Sequence, residues 1–502
     1  MRADHHDVRE PDPAAVDRVG DALRALIPAL EQAAGAVPDG GVPAYPAGVA
    51  RSPEPLPEQG VGLDAVLRDL STAVDHGCRI DMPGWFGYIT IGPTTSAVAA
   101  QAALAVAGGQ RYLHHAFNDL ELTALRWLAE LCGIPVDAAG VFTSGGSTAN
   151  LIALGAARQA AFERVGVDAA EDGVPPGARA RIYASTRAHR TVHRAAAALG
   201  LGRSSVREIA TDRAGHIDVD ALAAALDEDR SEAVVPIAVV ATAGTTDTGS
   251  VDALAELVRV AREHDCWTHV DGAYGLVAHA SRSTRPLFAG VADADSWIVD
   301  PHKWLATGVG VGAAYVRDGD LLTRAFSQGH ADYLEGSFAA PSADVVSQFD
   351  GIGGPWADQS MELTAPPRGA LVWAVLREIG RVGVGQRVDR HLALARRLAD
   401  QVRQHPRLEL LCEPDLSIVC YRYTPTSGDP DAVNAQILTR LRRETATVPS
   451  STVVEGAFAL RPCILNPRTT QRDVDDLVRA TVAFGDAITG TDPEAPNGSG
   501  AT

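Results

Sequence analysis

The sequence predicts an α/β fold: a large domain built on a mainly parallel sheet covered by helices, followed by a smaller α+β domain at the C-terminus. Three observations carry this. Between about residues 95 and 330, amphipathic helical stretches alternate with short β-branched runs, the pattern of successive βαβ units. After about residue 368 the alternation stops, and two long helical stretches precede short strands and a final helix. Two apolar runs in the first region end on ionisable residues, at the strand end where open α/β sheets take their ligands.

In chain order, residues 1 to about 60 are rich in Pro and Gly, with one helical stretch near 15–34. The breakers between Val37 and Pro43 mark a loop. Such an arm buries little by itself, so residues 1–95 are expected to be an N-terminal arm with helices that contacts a second subunit. Residues 96–367 are expected to form the large domain and 368–488 the small one. Residues 489–502 have the composition of a disordered tail. In the large domain, spacing predicts helices over 119–132, 147–164, 218–227 and 251–264. Strands are predicted over 181–184, 234–241, 266–270, 297–299 and 312–316. Beyond it, helices are predicted over 368–380 and 384–404, strands near 408–411, 417–423 and 457–463, and a last helix over 471–487. The chain shows no internal repeat.

Charge and composition exclude several classes. A net charge of −19, with no basic stripe, argues against nucleic acid and anionic membrane surfaces as partners. No apolar run reaches the length of a membrane span, and the polar start of the chain is followed by no signal-type apolar stretch. The six cysteines are scattered and read as reduced, buried thiols, so a cytoplasmic setting is expected. No metal is expected, because His5-His6 and His114-His115 lack a third ligand at metal spacing.

The chemistry concentrates in two segments. Cys266–Val270 leads into Asp271-Gly272-Ala273-Tyr274, and Ser296–Val299 leads into Asp300-Pro301-His302-Lys303-Trp304. A lysine in apolar surroundings has its charged form disfavoured and becomes a nucleophilic amine. Such an amine can form a Schiff base with an aldehyde, and an aspartate can keep a pyridine nitrogen protonated. The pair together suggests pyridoxal 5'-phosphate (PLP). Taken singly, each residue has a plainer reading: a solvated strand end for Lys303, a helix N-cap for Asp271.

Other stretches add to the pair. Thr143-Ser144-Gly145-Gly146-Ser147-Thr148-Ala149-Asn150 precedes an amphipathic helix, where small residues and free N–H groups favour an anion. A Ser/Thr-capped loop is the plainer alternative there. His189 follows a strand and can stack on a flat ring, or simply start a helix. Thr242-Ala243-Gly244-Thr245-Thr246 sets hydroxyls at another strand end. Gly308-Val309-Gly310-Val311-Gly312 imitates a nucleotide loop but leads into a strand, so it reads as a close-packed turn.

The ordered set TSGGSTAN, AHRTVHRA, ATAGTT, HVDGAYG, VDPHKW resembles the group II PLP-dependent amino-acid decarboxylases, the family of aromatic-L-amino-acid and glutamate decarboxylases. The resemblance runs from about 60 to 485, with further matches at Trp85–Tyr88, Leu120–Leu128 and Arg461–Thr470. It implies fold type I of the PLP-dependent transferases, a homodimer, an amino-acid substrate, and release of CO₂ and an amine. By resemblance Lys303 is the Schiff-base lysine and Asp271 the partner of the pyridine nitrogen. Ala273 lies under the ring, His189 over it, and Thr246 near it. Gly146, Ser147 and His302 hold the phosphate. Tyr333 matches the tyrosine of a mobile catalytic loop and is the expected proton donor to Cα. Tyr88, Ile89 and Arg368 fall at substrate-binding places, and Arg461 lies in a family-like segment.

The chain departs from the family pattern at Gly272, where alanine is common. It departs again at Ile89-Thr90-Ile91 and at Ala365-Pro366-Pro367, and these two set an aromatic substrate in question. Rival readings are an aldehyde-forming decarboxylase–oxidase, a carbon–carbon lyase on the same scaffold, and a PLP-binding relative without catalysis. Lys303, Asp271, His189 and Tyr333 together argue against the last.

Overall fold

The computed structural model describes residues 55–75, 77–111, 114–212, 214–327 and 356–490. The helical stretch expected near 15–34 lies outside them, as does the tail beyond 490. Helix α1 (Leu63–Asp75) leads to a two-residue strand, β1 (Trp85–Phe86), and then to α2 (Thr95–Ala107) and α3 (His115–Cys132).

The large sheet follows. Its strands are β2 (Ala139–Thr143), β3 (Ala180–Ser185), β4 (Val206–Ile209), β5 (Val235–Thr242), β6 (Trp267–Asp271), β7 (Ser296–Val299) and β8 (Gly312–Val316). Their spatial order is β2-β8-β7-β6-β5-β3-β4. Only β8 runs against the rest, pairing antiparallel with both β2 and β7. Helices connect the parallel strands: α4 (Gly146–Glu163), α5 (Thr191–Ala198), α6 (Val219–Ser231) and α7 (Leu254–Glu263). The helix α8 (Gly319–Phe326) closes this region.

The apolar runs form strands because both faces of the sheet are covered. Alternate side chains of β5 enter different cores: Val239 and Ala241 pack with α3 and α7, Ala238 and Val240 with α4. The central helix α4 is buried nearly all round, which explains its run of small residues, Ala149, Ala153, Ala156 and Ala157. Strands β2 and β4 carry no signal long enough to separate them from loop in the sequence. They form because β8 and β3 offer them an edge.

The chain reaches its second sheet through α9 (Gly369–Gln404), which breaks at Gly380, where φ is +60° and ψ 178°. That break falls between the two helices the sequence predicts. Strands β9 (Leu408–Leu410) and β10 (Tyr421–Tyr423) follow, then α10 (Pro430–Glu444), β11 (Val448–Val454), β12 (Ala457–Arg461) and α11 (Gln471–Thr489). The helix α10 was not expected, although Asp429 caps it and Pro430 stands at its first turn. Pro449 obscures β11, yet that strand is paired on both sides in the order β1-β11-β12-β10-β9. Its neighbour β1 pairs with it in parallel, Trp85 beside Val448, so residues assigned by sequence to the N-terminal arm complete the C-terminal sheet.

Several polar contacts join the two sheet regions, Tyr274 with Ser417 and Arg461 with the Asp247 carbonyl among them, and one centres on a histidine. His216, between β4 and α6, lies 3.1 Å from Asp212 and 3.2 Å from Asp415 of the small domain. Asp415 also accepts the Val251 N–H at 3.1 Å. The hydrogen bond to Asp415, and then that to Asp212, lift the imidazole to about 9 against desolvation. A folded-state value above the unfolded one means stability that is complete below the unfolded value near 6.5 and lost as pH rises through 9. The stability of the parent protein should therefore fall between pH 7 and 10 by more than that of His216→Gln. Urea midpoints measured across that range check this, and parallel curves would refute it.

Candidate active site

The C-terminal ends of β2, β3, β5, β6 and β7 open onto a cavity of about 300 Å³. Its lining includes Gly146, Ser147, His189, Thr246, Asp271, Ala273, His302 and Lys303, all eight expected cofactor contacts. The parallel pairing makes this so: β5, β6 and β7 are in register, with Thr242 opposite Asp271 and Asp271 opposite Ile298. Each strand then delivers its next residues to the same edge.

Lys303 follows β7 by four residues, and its Nζ lies 3.0 Å from Asp300 Oδ2. Lys303 is also the only lysine in the sequence, a signal of composition that motif reading does not use. Asp271 ends β6, is 6% exposed, and accepts from Asn150 Nδ2 at 3.1 Å and from the Ala273 N–H at 3.3 Å. His189 precedes α5, and its Nδ1 lies 2.8 Å from Thr191 Oγ1. Burial lowers the pKa of His189, mainly by desolvation, with Asp271 opposing. His302 donates from Nδ1 to the Val311 carbonyl at 2.7 Å and is likewise lowered by desolvation.

Glycines shape the anion end of the cavity. Gly146 opens α4, and a Cβ there would stand 2.8 Å from Asp300 Oδ2. Gly312, at the close of the Gly-Val-Gly-Val-Gly run, passes so near Gly145 that a Cβ would meet its Cα at 2.6 Å. The departure at Gly272 has a packing cause. The Leu276 side chain fills the space of a Cβ, with Cγ only 2.1 Å from where that atom would be.

Sequence reasoning assigned no role to Asn150, His269 or Asp300, although all three stand in quoted motifs. Asp300 Oδ1 and Thr242 Oγ1 are buried with no hydrogen-bond partner among the described residues. The structure does not bring Tyr88, Ile89 or Arg368 to the cavity. Tyr88 is 59% exposed and held at φ +56°, an unusual conformation for a side-chain-bearing residue. Ile89 packs on the large core, and Arg368 forms a two-pronged ion pair with Glu362 at 2.6 and 2.9 Å. Tyr333 lies outside the described residues.

The residues present fit PLP. A lysine amine, a buried carboxylate, a flat imidazole and a helix N-terminus converge, and two of the lining residues, Thr242 and Asp300, each carry an unpartnered buried oxygen. Fold and site thus define a PLP enzyme of fold type I.

Comparison with known proteins gives the particular family. The pyridoxal-dependent decarboxylase conserved domain matches residues 46–424. The L-2,4-diaminobutyrate decarboxylase of Rhizobium meliloti (strain 1021) is 31% identical over 423 residues, 83% of this chain and 81% of its own. The aromatic-L-amino-acid decarboxylase of Bacillus atrophaeus is 30% identical over 375 residues, 74% of each. Oryza sativa TDC, solved with PLP and tryptamine, superposes with a TM-score of 0.84 at 25% identity, over 96% of this chain and 100% of that one. The chain belongs to the pyridoxal-dependent decarboxylase family and is a PLP-dependent amino-acid decarboxylase.

Proposed function

We propose that this cavity converts an L-amino acid to its amine and CO₂, with Lys303 as the residue that carries the cofactor. The observation that carries the reading is the convergence of Lys303, Asp271 and His189, from the ends of three separate strands, on one 300 Å³ space. Bound PLP supplies an electron sink for the pair left on Cα when CO₂ departs. Lys303 Nζ holds the aldehyde end. Asp271 would hold a proton on the ring nitrogen, and His189 and Ala273 would flank the ring. Gly146 and Ser147, at the start of α4, offer backbone N–H groups to the phosphate, with His302 beside them. Thr246 borders the ring.

The substrate is an amino acid of a class that a screen must name. The two relatives above act, by their names, on aromatic amino acids and on diaminobutyrate, so both kinds belong in the screen. Purified protein is incubated with each common L-amino acid and with diaminobutyrate, and CO₂ and amine are followed. Equal amounts of both from one substrate are expected; no CO₂ from any would overturn the reading.

Tyr333 is proposed to deliver the proton that Cα needs after CO₂ leaves. Tyr333→Phe should lower amine formation about 10²- to 10⁴-fold, the usual worth of a general acid. Aldehyde and peroxide should rise, because the carbanion then lasts long enough to meet oxygen. Amine at the parent rate without added peroxide would remove Tyr333 from the mechanism.

Assembly as a homodimer is part of the proposal. On α1, Leu63, Val66 and Leu70 form an apolar stripe, each 44–49% exposed, at the spacing of one helix face. Light scattering should give twice the chain mass, and removing residues 1–60 should abolish activity. A fully active monomer would contradict both. The unpaired cysteines support a reducing, cytoplasmic setting. Among the described residues no helix is long and apolar enough to cross a membrane.

A further inference from the structure

A second tier of polar groups stands behind Asp271, and the proposed reaction assigns it nothing. Asn150, in the first turns of α4, is 1% exposed. Its Nδ2 donates to Asp271 Oδ2 and to Thr191 Oγ1, each at 3.1 Å. Its Oδ1 lies 2.9 Å from His269 Nε2. His269 is fully buried, and its Nδ1 lies 2.9 Å from Ser296 Oγ, which also accepts from Trp267 Nε1 at 2.8 Å.

The charge of one group orders all these protons. A carboxylate can only accept, so Asn150 must turn its NH₂ toward Asp271. The reversed amide would set two acceptors against each other at 3.1 Å. With Oδ1 left to face His269, that ring must carry its proton on Nε2. Desolvation pushes His269 down to about 4, so it is neutral, and its Nδ1 takes the Ser296 hydroxyl proton. The second amide hydrogen goes to Thr191 Oγ1, which frees the Thr191 hydroxyl proton for His189 Nδ1. The Thr191 backbone N–H, 3.3 Å from the same nitrogen, agrees that Nδ1 accepts. His189 therefore keeps its own proton on Nε2. From His189 Nδ1 through Asn150 to Ser296 each donor meets an acceptor in this arrangement, which makes the network rigid.

We propose that Asn150 is a positioning residue for decarboxylation: it fixes the direction and charge of Asp271, and so the protonation of the cofactor's ring nitrogen. The inference rests on the reading that Asp271 is that nitrogen's partner. A merely structural role would need only a group of similar size. The proposed role needs a donor toward Asp271. Asn150→Leu keeps the size and removes the donor without adding a charge.

The test uses the full chain loaded with PLP labelled with ¹⁵N in the ring. The ring-nitrogen shift is followed against pH in the parent, in Asn150→Leu and in Asn150→Ala. The second variant covers the case in which the first fails to fold. The pH at which the nitrogen loses its proton should fall by about one unit or more in either variant, a tenfold change in that equilibrium. In parallel, kcat should drop about 10- to 100-fold, the range for losing a hydrogen bond to a charged group, while KM changes little. A nitrogen that stays protonated to the same pH in both variants would overturn the proposal and leave Asn150 structural. The same spectrum of Asp271→Asn separates the two readings. If it too is unchanged, the partner of the nitrogen has been misassigned; if it moves while the Asn150 variants do not, only the role of Asn150 fails.

Discussion

Replacing Lys303 with alanine should abolish turnover and covalent retention of PLP together. The argument starts from the number of amines. Lys303 is the only lysine, so no second ε-amine can take its place. Its Nζ is held at the cavity by Asp300, 3.0 Å away, in a pair that is 17% and 4% exposed. The substitution removes the nucleophile and leaves the Asp300 carboxylate buried without its cation, which disfavours the empty site further. A loss of more than about a thousandfold in kcat, about 4 kcal/mol of barrier, is expected. Borohydride treatment of the loaded parent should fix one PLP per chain on the peptide containing Lys303. Label found instead on the α-amino group, or turnover retained in Lys303→Ala, would remove Lys303 from the reaction.

The Asp271→Asn variant should bind PLP and still lose about 10² to 10⁴ in kcat. An amide has the shape of the carboxylate but no charge to keep a pyridine nitrogen protonated, so the electron sink is weakened at its source. Asp271 is set apart from the equally buried Asp300 at this edge by the bonds it takes from Asn150 and Ala273, which aim it. Cofactor retention, measured by dialysis and absorbance, should change far less than rate, since Lys303 and the start of α4 remain. Near-normal kcat would place the nitrogen's partner elsewhere.

How far the sequence alone reaches is visible in these two residues. Lys303 and Asp271 were legible because each ends an apolar strand, and strand ends in a parallel sheet gather at one edge. The order of five motifs then pointed to the family. Asn150 and His269 were written in the same motifs but not legible as partners, because their contact spans 119 residues of sequence and depends on α4 crossing behind β6. Strands β2 and β4 were hidden by brevity, and β11 by a proline that pairing with a two-residue neighbour tolerates. The substrate contacts fared differently. Tyr88 is exposed and Arg368 is turned onto Glu362, and neither lines the cavity.

A chain with one lysine has a chemical property that enzymes of this size rarely offer. Its amine reagents have a single interior address. Acylating reagents, dialdehyde crosslinkers and free pyridoxal phosphate will find, apart from the α-amino group, no ε-amine other than the one at the end of β7. The fraction of working centres can therefore be counted by labelling, without knowing the substrate. Attachment through amine-reactive supports would take that lysine and silence the enzyme, whereas attachment through surface carboxylates would spare it. Arginine supplies every other fixed positive side chain, and its guanidinium stays protonated and is a poor nucleophile under the same conditions.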